Sequence, residues 1–197
     1  MNIKNRLDTM LAKWDLLQHP FYQAWSKGTL SIEALTVYAS EYGAFINILE
    51  DGWNTLGDAE TAKEEREHAE LWEQFAKTLD TEISVPQITQ TRTLIETSKS
   101  LFSSPATTLG AMYAFEAQQP ATAKSKLDGL KTHYSLSSDV EPYFEVHSAN
   151  WHESEKILSA LDKLSPEEQS QAEKACGQMA ESLWNALTGI QEKSNLN

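Results

Sequence analysis

Between residues 32 and 56, Leu35, Tyr38, Ala39, Tyr42, Phe45, Ile46, Leu49, Trp53 and Leu56 recur at intervals of three and four. That is the period of an α-helix of about 3.6 residues per turn and not the alternation of a strand. An apolar and aromatic stripe running for about seven turns must be covered by other helices, so this stretch predicts the spine of an all-α domain. No strand-like alternation longer than a few residues appears elsewhere, and the other segments carry helical punctuation. Residues 3–17 read as a helix ending before His19-Pro20, and 21–25 as a short aromatic helix. Gly57-Asp58 offers a stop followed by an N-cap for 59–79, while 81–87, with Pro86, reads as an extended connection. Helices follow at 88–102, 106–119, 121–134 and 140–161. Ser165-Pro166-Glu167-Glu168 is a capping box that opens the last helix, expected to run to about Ile190. The expectation is an irregular bundle of about seven to eight helices in one domain, residues 1–191, followed by a polar tail at 192–197.

Charge narrows the partners. With 29 acidic against 16 basic residues the net charge is -13, which argues against a nucleic-acid surface and against anionic lipid. No apolar run approaches the length of a membrane helix. One cysteine, Cys176, excludes an internal disulfide, and the first thirteen residues lack an apolar signal region, so a cytoplasmic location is expected.

Four residues on three predicted helices could share a metal. Glu65 and His68 stand at i and i+3 and project from one side of their helix, the Glu-x-x-His spacing of carboxylate-bridged metal sites in bundles. Glu116 lies in a run of Ala, Met, Tyr and Phe, where a carboxylate is either a ligand or hydrogen-bonded to a tyrosine or lysine. His147, between Val146 and Tyr143, is either a third ligand or a satisfied core histidine. On a continuous helix Trp151 and Ser154 share its face, and His152 points away. The five histidines do not supply a second Glu-x-x-His, which disfavours a symmetric ferritin-type site. Nitrogen and oxygen donors without thiolate suit iron or manganese. Tyr22, Tyr38 and Tyr42 are by default core aromatics. Cys176 has no histidine near it in sequence, and no phosphate-binding loop or Gly-x-Ser-x-Gly occurs.

In order along the chain, His19-Pro20-Phe21-Tyr22-Gln23-Ala24-Trp25, Tyr38, His68-Ala69-Glu70-Leu71-Trp72, Ala111 through Pro120 and Tyr143-Phe144-Glu145-Val146-His147 resemble the heme-oxygenase-like superfamily. Within it they are most similar to the branch of the Chlamydia protein associating with death domains, neighbour to the TenA thiaminases and the PqqC quinone synthases. The resemblance implies a heme-oxygenase-like bundle and a homodimer. It also implies an iron-dependent enzyme that uses O2 on a small-molecule substrate or on its own tyrosine, the latter giving 4-aminobenzoate. It places metal ligands at Glu65 (or Glu64), His68, Glu116 and His147, and catalytic roles at Tyr22, Tyr38 and Lys126. Trp151 and Ser154 stand where the branch has Asp and His, so one iron is expected and a second is open; a one-residue shift would bring Asn150, His152 or Glu153 into play, though the matched Tyr-Phe-x-x-His start makes no gap necessary, and Phe115 replaces a further family tyrosine. No cysteine occurs near 112–115, against thiaminase chemistry. The competing expectation is a metal-free, non-catalytic binding protein in which Trp151 and Ser154 fill the vacated second site.

Overall fold

The computed structural model describes residues 2–195, and every regular element among them is helical. The α-helices are α1 (Ile3–Leu11), α2 (Pro20–Ser26), α3 (Ile32–Ile46), α4 (Leu49–Leu56), α5 (Ala59–Thr78) and α6 (Thr89–Leu101). They continue with α7 (Pro105–Glu116), α8 (Gln119–His133), α9 (Pro142–Ser148), α10 (His152–Leu161) and α11 (Pro166–Asn195), with short 3-10 turns at Leu16–Gln18 and Ser138–Val140. None is long and apolar enough to cross a membrane.

The ends follow the predicted chemistry. Ser31 accepts from the Ala34 N–H at 3.1 Å to open α3, and Gly57, at φ +76°, closes α4 in the left-handed conformation that glycine adopts without strain. Residues 81–87 form the extended connection, anchored where the buried Glu41 carboxylate accepts the N–H groups of Gln87 and Ile88 at 2.8 and 3.2 Å.

Two expected helices are divided, and both divisions matter. The stripe over residues 32–56 breaks at Asn47 and Ile48. The break re-aims α4 so that Trp53 is buried and Gly52 lies under Met112 of α7. The expected helix over 140–161 breaks at residues 149–151, so His147 and the residues after it do not share one continuous face. At the ends, α1 stops at Leu11 instead of running to 17. The last helix continues through most of the expected tail to Asn195, and residues 196–197 lie outside the described residues.

The helix surrounded on all sides is α7, where every residue from Thr108 to Glu116 is buried. That is the pattern of a helix apolar all round, and it brings a carboxylate at its C-terminal end into the core. Along it runs α11, and the two backbones meet at Gly110: a β-carbon there would lie 1.9 Å from the Ala172 carbonyl oxygen. Gly110→Ala must therefore push two backbones apart, at a cost of about 1–3 kcal/mol or more. A urea titration is expected to show a lower midpoint at an unchanged slope, and an unchanged midpoint would refute the close approach.

Candidate metal centre

The start of α5 is clamped to α10. Asp58 accepts the Thr61 N–H and hydroxyl at 3.1 and 2.9 Å, and Lys156 of α10 donates to the Thr61 hydroxyl at 2.7 Å. Farther along α5, the Trp72 indole donates to the Ala39 carbonyl of α3 at 2.8 Å. Between these anchors Glu65 and His68, one turn apart, face inward, with Glu65 Oε1 3.6 Å from His68 Nδ1. His147 arrives from α9 with its ring centroid 4.4 Å from that of His68. Its Nδ1 lies 2.7 Å from the Tyr143 carbonyl; donation there leaves Nε2 as a bare lone pair, the arrangement that orients a metal-binding imidazole. Glu65, His68 and His147 each offer a donor atom, all within 4.8 Å of one another.

What separates this cluster from an ordinary buried polar network is missing partners. Glu65 Oε2, His68 Nδ1 and Glu116 Oε1 are buried without a well-formed hydrogen bond, and the indole N–H of Trp53, the one donor that faces Glu116 among the described residues, is poorly aligned with it. Buried polar groups in native proteins are normally satisfied, as Glu41 is, so the open positions beside Glu65, His68 and Glu116 are ones that a cation could fill. The electrostatics agree. Burial, then the charges of Glu65 and Glu153, hold the Glu116 carboxyl well above the usual carboxylate range. Burial also raises Glu65, against the pull of His68. Burial, then neighbouring His68, lowers His147 to about 3, keeping its imidazole neutral and able to ligate. His68 goes the other way: burial alone would lower it, but Glu65 and the other nearby carboxylates raise it.

Residues 47–185 match the sequence profile of the iron-containing redox enzymes of the heme-oxygenase class. The chain belongs to this family. Among relatives of this redox enzyme, a 4-aminobenzoate synthase of Nitrosomonas europaea is 31% identical over 96% of this chain and 91% of that protein. A heme-oxygenase-like domain of unknown function from Shewanella denitrificans superposes with a TM-score of 0.82 at 15% identity, over 100% of this chain and 94% of that one. A CADD-like protein of unknown function from Nostoc punctiforme does so at 0.75 and 20% identity, over 98% and 96%. The donor set fits the family's metal: imidazole nitrogens and carboxylate oxygens without sulfur suit iron, with manganese as the alternative.

The family member's other predicted residues gather in a second buried group. The hydroxyls of Tyr22 and Tyr38 are 2.9 Å apart, and Lys126 Nζ lies 3.4 and 3.2 Å from them. Trp25 fixes that lysine's backbone, its indole donating to the Lys126 carbonyl at 3.1 Å. No carboxylate pairs with Lys126 among the described residues, and burial lowers its ammonium to about 7, while burial raises both phenols well above their ordinary value. Between the two groups the rings are in file: His147 to Tyr143 at 4.2 Å, Tyr143 to Trp72 at 4.7 Å, Trp72 to Tyr38 at 5.4 Å. Phe115 packs in the core on Phe45.

Three residues sit differently from expectation. Trp151 does not fill the metal cluster; with α9 and α10 separate it swings outward, is 52% exposed and borders a surface cleft of about 420 Å³ beside Asp8 and Tyr113. Ser154 is buried but bonds back to the Trp151 carbonyl at 2.9 Å. Facing the cluster instead is Glu153, 3% exposed, with Asn150 donating to its carboxylate at 2.6 Å. A one-residue shift of the family pattern already pointed to it in sequence, and Asn150, whose side-chain oxygen accepts the His152 N–H at 3.3 Å, favours a new helix start. His19 is structural: its Nδ1 accepts the Phe21 N–H at 3.1 Å and caps α2. Cys176 is fully buried, and burial pushes its thiol up to about 12, leaving it inert.

Proposed function

We propose that this protein makes 4-aminobenzoate from its own side chains, with Tyr22 giving the ring, Lys126 the nitrogen and Tyr38 holding both in place. The observation that carries the reading is the buried lysine without a carboxylate, lying within hydrogen-bond reach of two tyrosine hydroxyls. A structural lysine would be paired or would reach solvent; this one is kept near neutrality, so a substantial fraction is free amine at physiological pH. The similarity to a 4-aminobenzoate synthase supports the same reading.

Glu65, His68, Glu116 and His147 would hold iron, which supplies the binding and reduction of O2. The chain's own residues do the rest. The Tyr143 carbonyl keeps the His147 proton on Nδ1, and Gln119 donates to the Tyr143 hydroxyl at 2.8 Å, steadying the ring against His147. The file of Tyr143, Trp72 and Tyr38 offers contiguous oxidisable rings toward Tyr22, walled by Phe21, Trp25 and Phe144 against water. The Tyr38 hydroxyl can take or return the Tyr22 phenol proton across their 2.9 Å contact. The cellular setting we assign is the cytoplasm.

A side chain consumed as substrate can be used once. Protein loaded with Fe(II) anaerobically and then given O2 and reductant is expected to yield at most one 4-aminobenzoate per chain, with intact-mass and peptide mass spectrometry locating the loss at Tyr22. Product formed in many turnovers, or with Tyr22 and Lys126 unaltered, would overturn the reading.

A further inference from the structure

We infer that Trp53 is a positioning residue of the metal centre: its indole N–H is set to donate to Glu116 when that carboxylate holds a cation, fixing which oxygen turns toward the metal. The inference rests on the metal centre proposed above and concerns a residue assigned no role there.

The first observation is a comparison within the chain. Trp25, Trp53 and Trp72 are all buried almost completely. Trp25 donates to the Lys126 carbonyl at 3.1 Å and Trp72 to the Ala39 carbonyl at 2.8 Å, as buried indoles normally do. The Trp53 N–H is shielded from solvent yet has no well-formed hydrogen bond. An indole nitrogen only donates, so the partner it is missing is an acceptor. The acceptor it faces is Glu116.

The second observation is how the chain puts it there. The break at residues 47–48 turns α4 onto α7, and Gly52 permits the close approach, since a β-carbon there would lie 2.7 Å from Met112 Sδ. The neighbouring Trp53 is thereby pressed between Glu116 and a surface cleft of about 650 Å³, which it walls together with Leu56, Pro105, Leu109 and Ile157. Apolar side chains suffice for the rest of that wall. The one ring in it that carries a donor stands against the carboxylate, with its nitrogen closed off from the water of the cleft.

A carboxylate that gives one oxygen to a cation keeps acceptor capacity on the other, and hydrogen bonds to ligating carboxylates hold them in orientation. Among the described residues Trp53 is the donor that faces Glu116. Drawing Glu116 toward a cation brings the pair into line, and a bond to a charged acceptor is stronger than one to a neutral group.

Full-length metal-free protein, its indole nitrogens isotopically labelled for nuclear magnetic resonance and titrated with Zn(II), tests this without turnover. Zinc is diamagnetic and accepts the same nitrogen and oxygen donors. The Trp53 indole resonance, assigned through its own backbone, is expected to move downfield on loading and its hydrogen to exchange more slowly. Trp53→Phe keeps the wall and loses the donor, and is expected to bind Zn(II) and Mn(II) about 10–100-fold more weakly. Leu109→Ala opens the same wall without removing a donor, and is expected to unfold at a lower urea concentration with both affinities unchanged. A Trp53 resonance that stays in place while Zn(II) binds overturns the inference, and so does Trp53→Phe binding as tightly as wild type or Leu109→Ala weakening binding equally; each leaves the metal centre standing. The resonance is read in wild type, so it decides the matter even where Trp53→Phe does not fold. Wild type binding neither ion overturns both the inference and the reading it rests on.

Discussion

Without metal, Glu116→Gln is expected to unfold at a higher temperature than wild type, and to lose at least about two orders of magnitude in Fe(II) affinity and with it product formation. Both effects have one cause. The Glu116 carboxyl is buried, faces the Trp53 indole and stands beside two other carboxylates, so the empty protein can ionise it only at a cost and holds its proton well above the usual carboxylate range. The neutral amide of the same shape removes that cost, and with it the ligand. Sign follows from the raised carboxyls of Glu65 and Glu116: their folded pKa lies above the unfolded value of 4.5. Below 4.5 both states hold the protons and the difference vanishes. As pH rises through the folded values, the unfolded chain has already released them and metal-free stability is lost. The Glu116→Gln protein should show a flatter loss. Fe(II) displaces the same protons, so wild-type affinity rises with pH over the same window, and saturating metal at about 100 times Kd should add about 2.7 kcal/mol to wild type. Glu41→Gln is the control, because that carboxylate accepts two backbone N–H groups and its loss should destabilise by about 1–3 kcal/mol with metal binding intact. Differential scanning calorimetry with and without Fe(II) reads all of these; a Glu116→Gln protein less stable than wild type when metal-free would refute the cost of burying that carboxyl.

The all-α class was legible because helical period and cap chemistry are local. Ser31, Gly57-Asp58 and the Ser165 capping box each act within four residues, and each sits where the pattern placed it. The spacing Glu65-x-x-His68 was legible for the same reason. The breaks at residues 47–48 and 149–151 were not, since both segments keep helical spacing across the gap, and it is after the axis has turned that α4 and α10 each pack against α7. That is why Trp151 could be expected on the face of His147 and is found in solvent, while Glu153 is found inside. Whether Glu116 was a ligand or a hydrogen-bonded core carboxylate was equally open in sequence. The contrast with Glu41 exists only in three dimensions, where one carboxylate meets two N–H groups and the other keeps a bare oxygen.

Lys126→Met is expected to abolish 4-aminobenzoate formation, a loss of at least about 100-fold, while making the metal-free protein more stable at neutral pH. Among the described residues the lysine has no counter-charge; its neighbours are the Tyr22 and Tyr38 hydroxyls and the faces of Tyr22, Tyr38 and Phe144, at 4.7, 5.7 and 5.4 Å from Nζ. Burial lowers its folded pKa to about 7 against 10.5 in the unfolded chain. Below 7 both states carry the proton and the full burial cost is present. Between 7 and 10.5 only the unfolded chain holds it, so wild-type stability rises with pH. A shift of this size corresponds to a few kcal/mol at about 1.4 kcal/mol per unit. The methionine protein lacks that titration, and the gap between the two should close from about pH 7 toward pH 10. Tyrosine ionisation in the unfolded chain destabilises both proteins above pH 10 and cancels in the difference. The same proton governs chemistry: the amine must be neutral to give up its nitrogen, so the single-turnover rate in wild type should climb through about pH 7 and level off. Urea midpoints taken at several pH values, paired with product yield, test both halves, and a gap that stays constant with pH would show that the lysine carries its charge in the folded protein and cannot be the nitrogen donor.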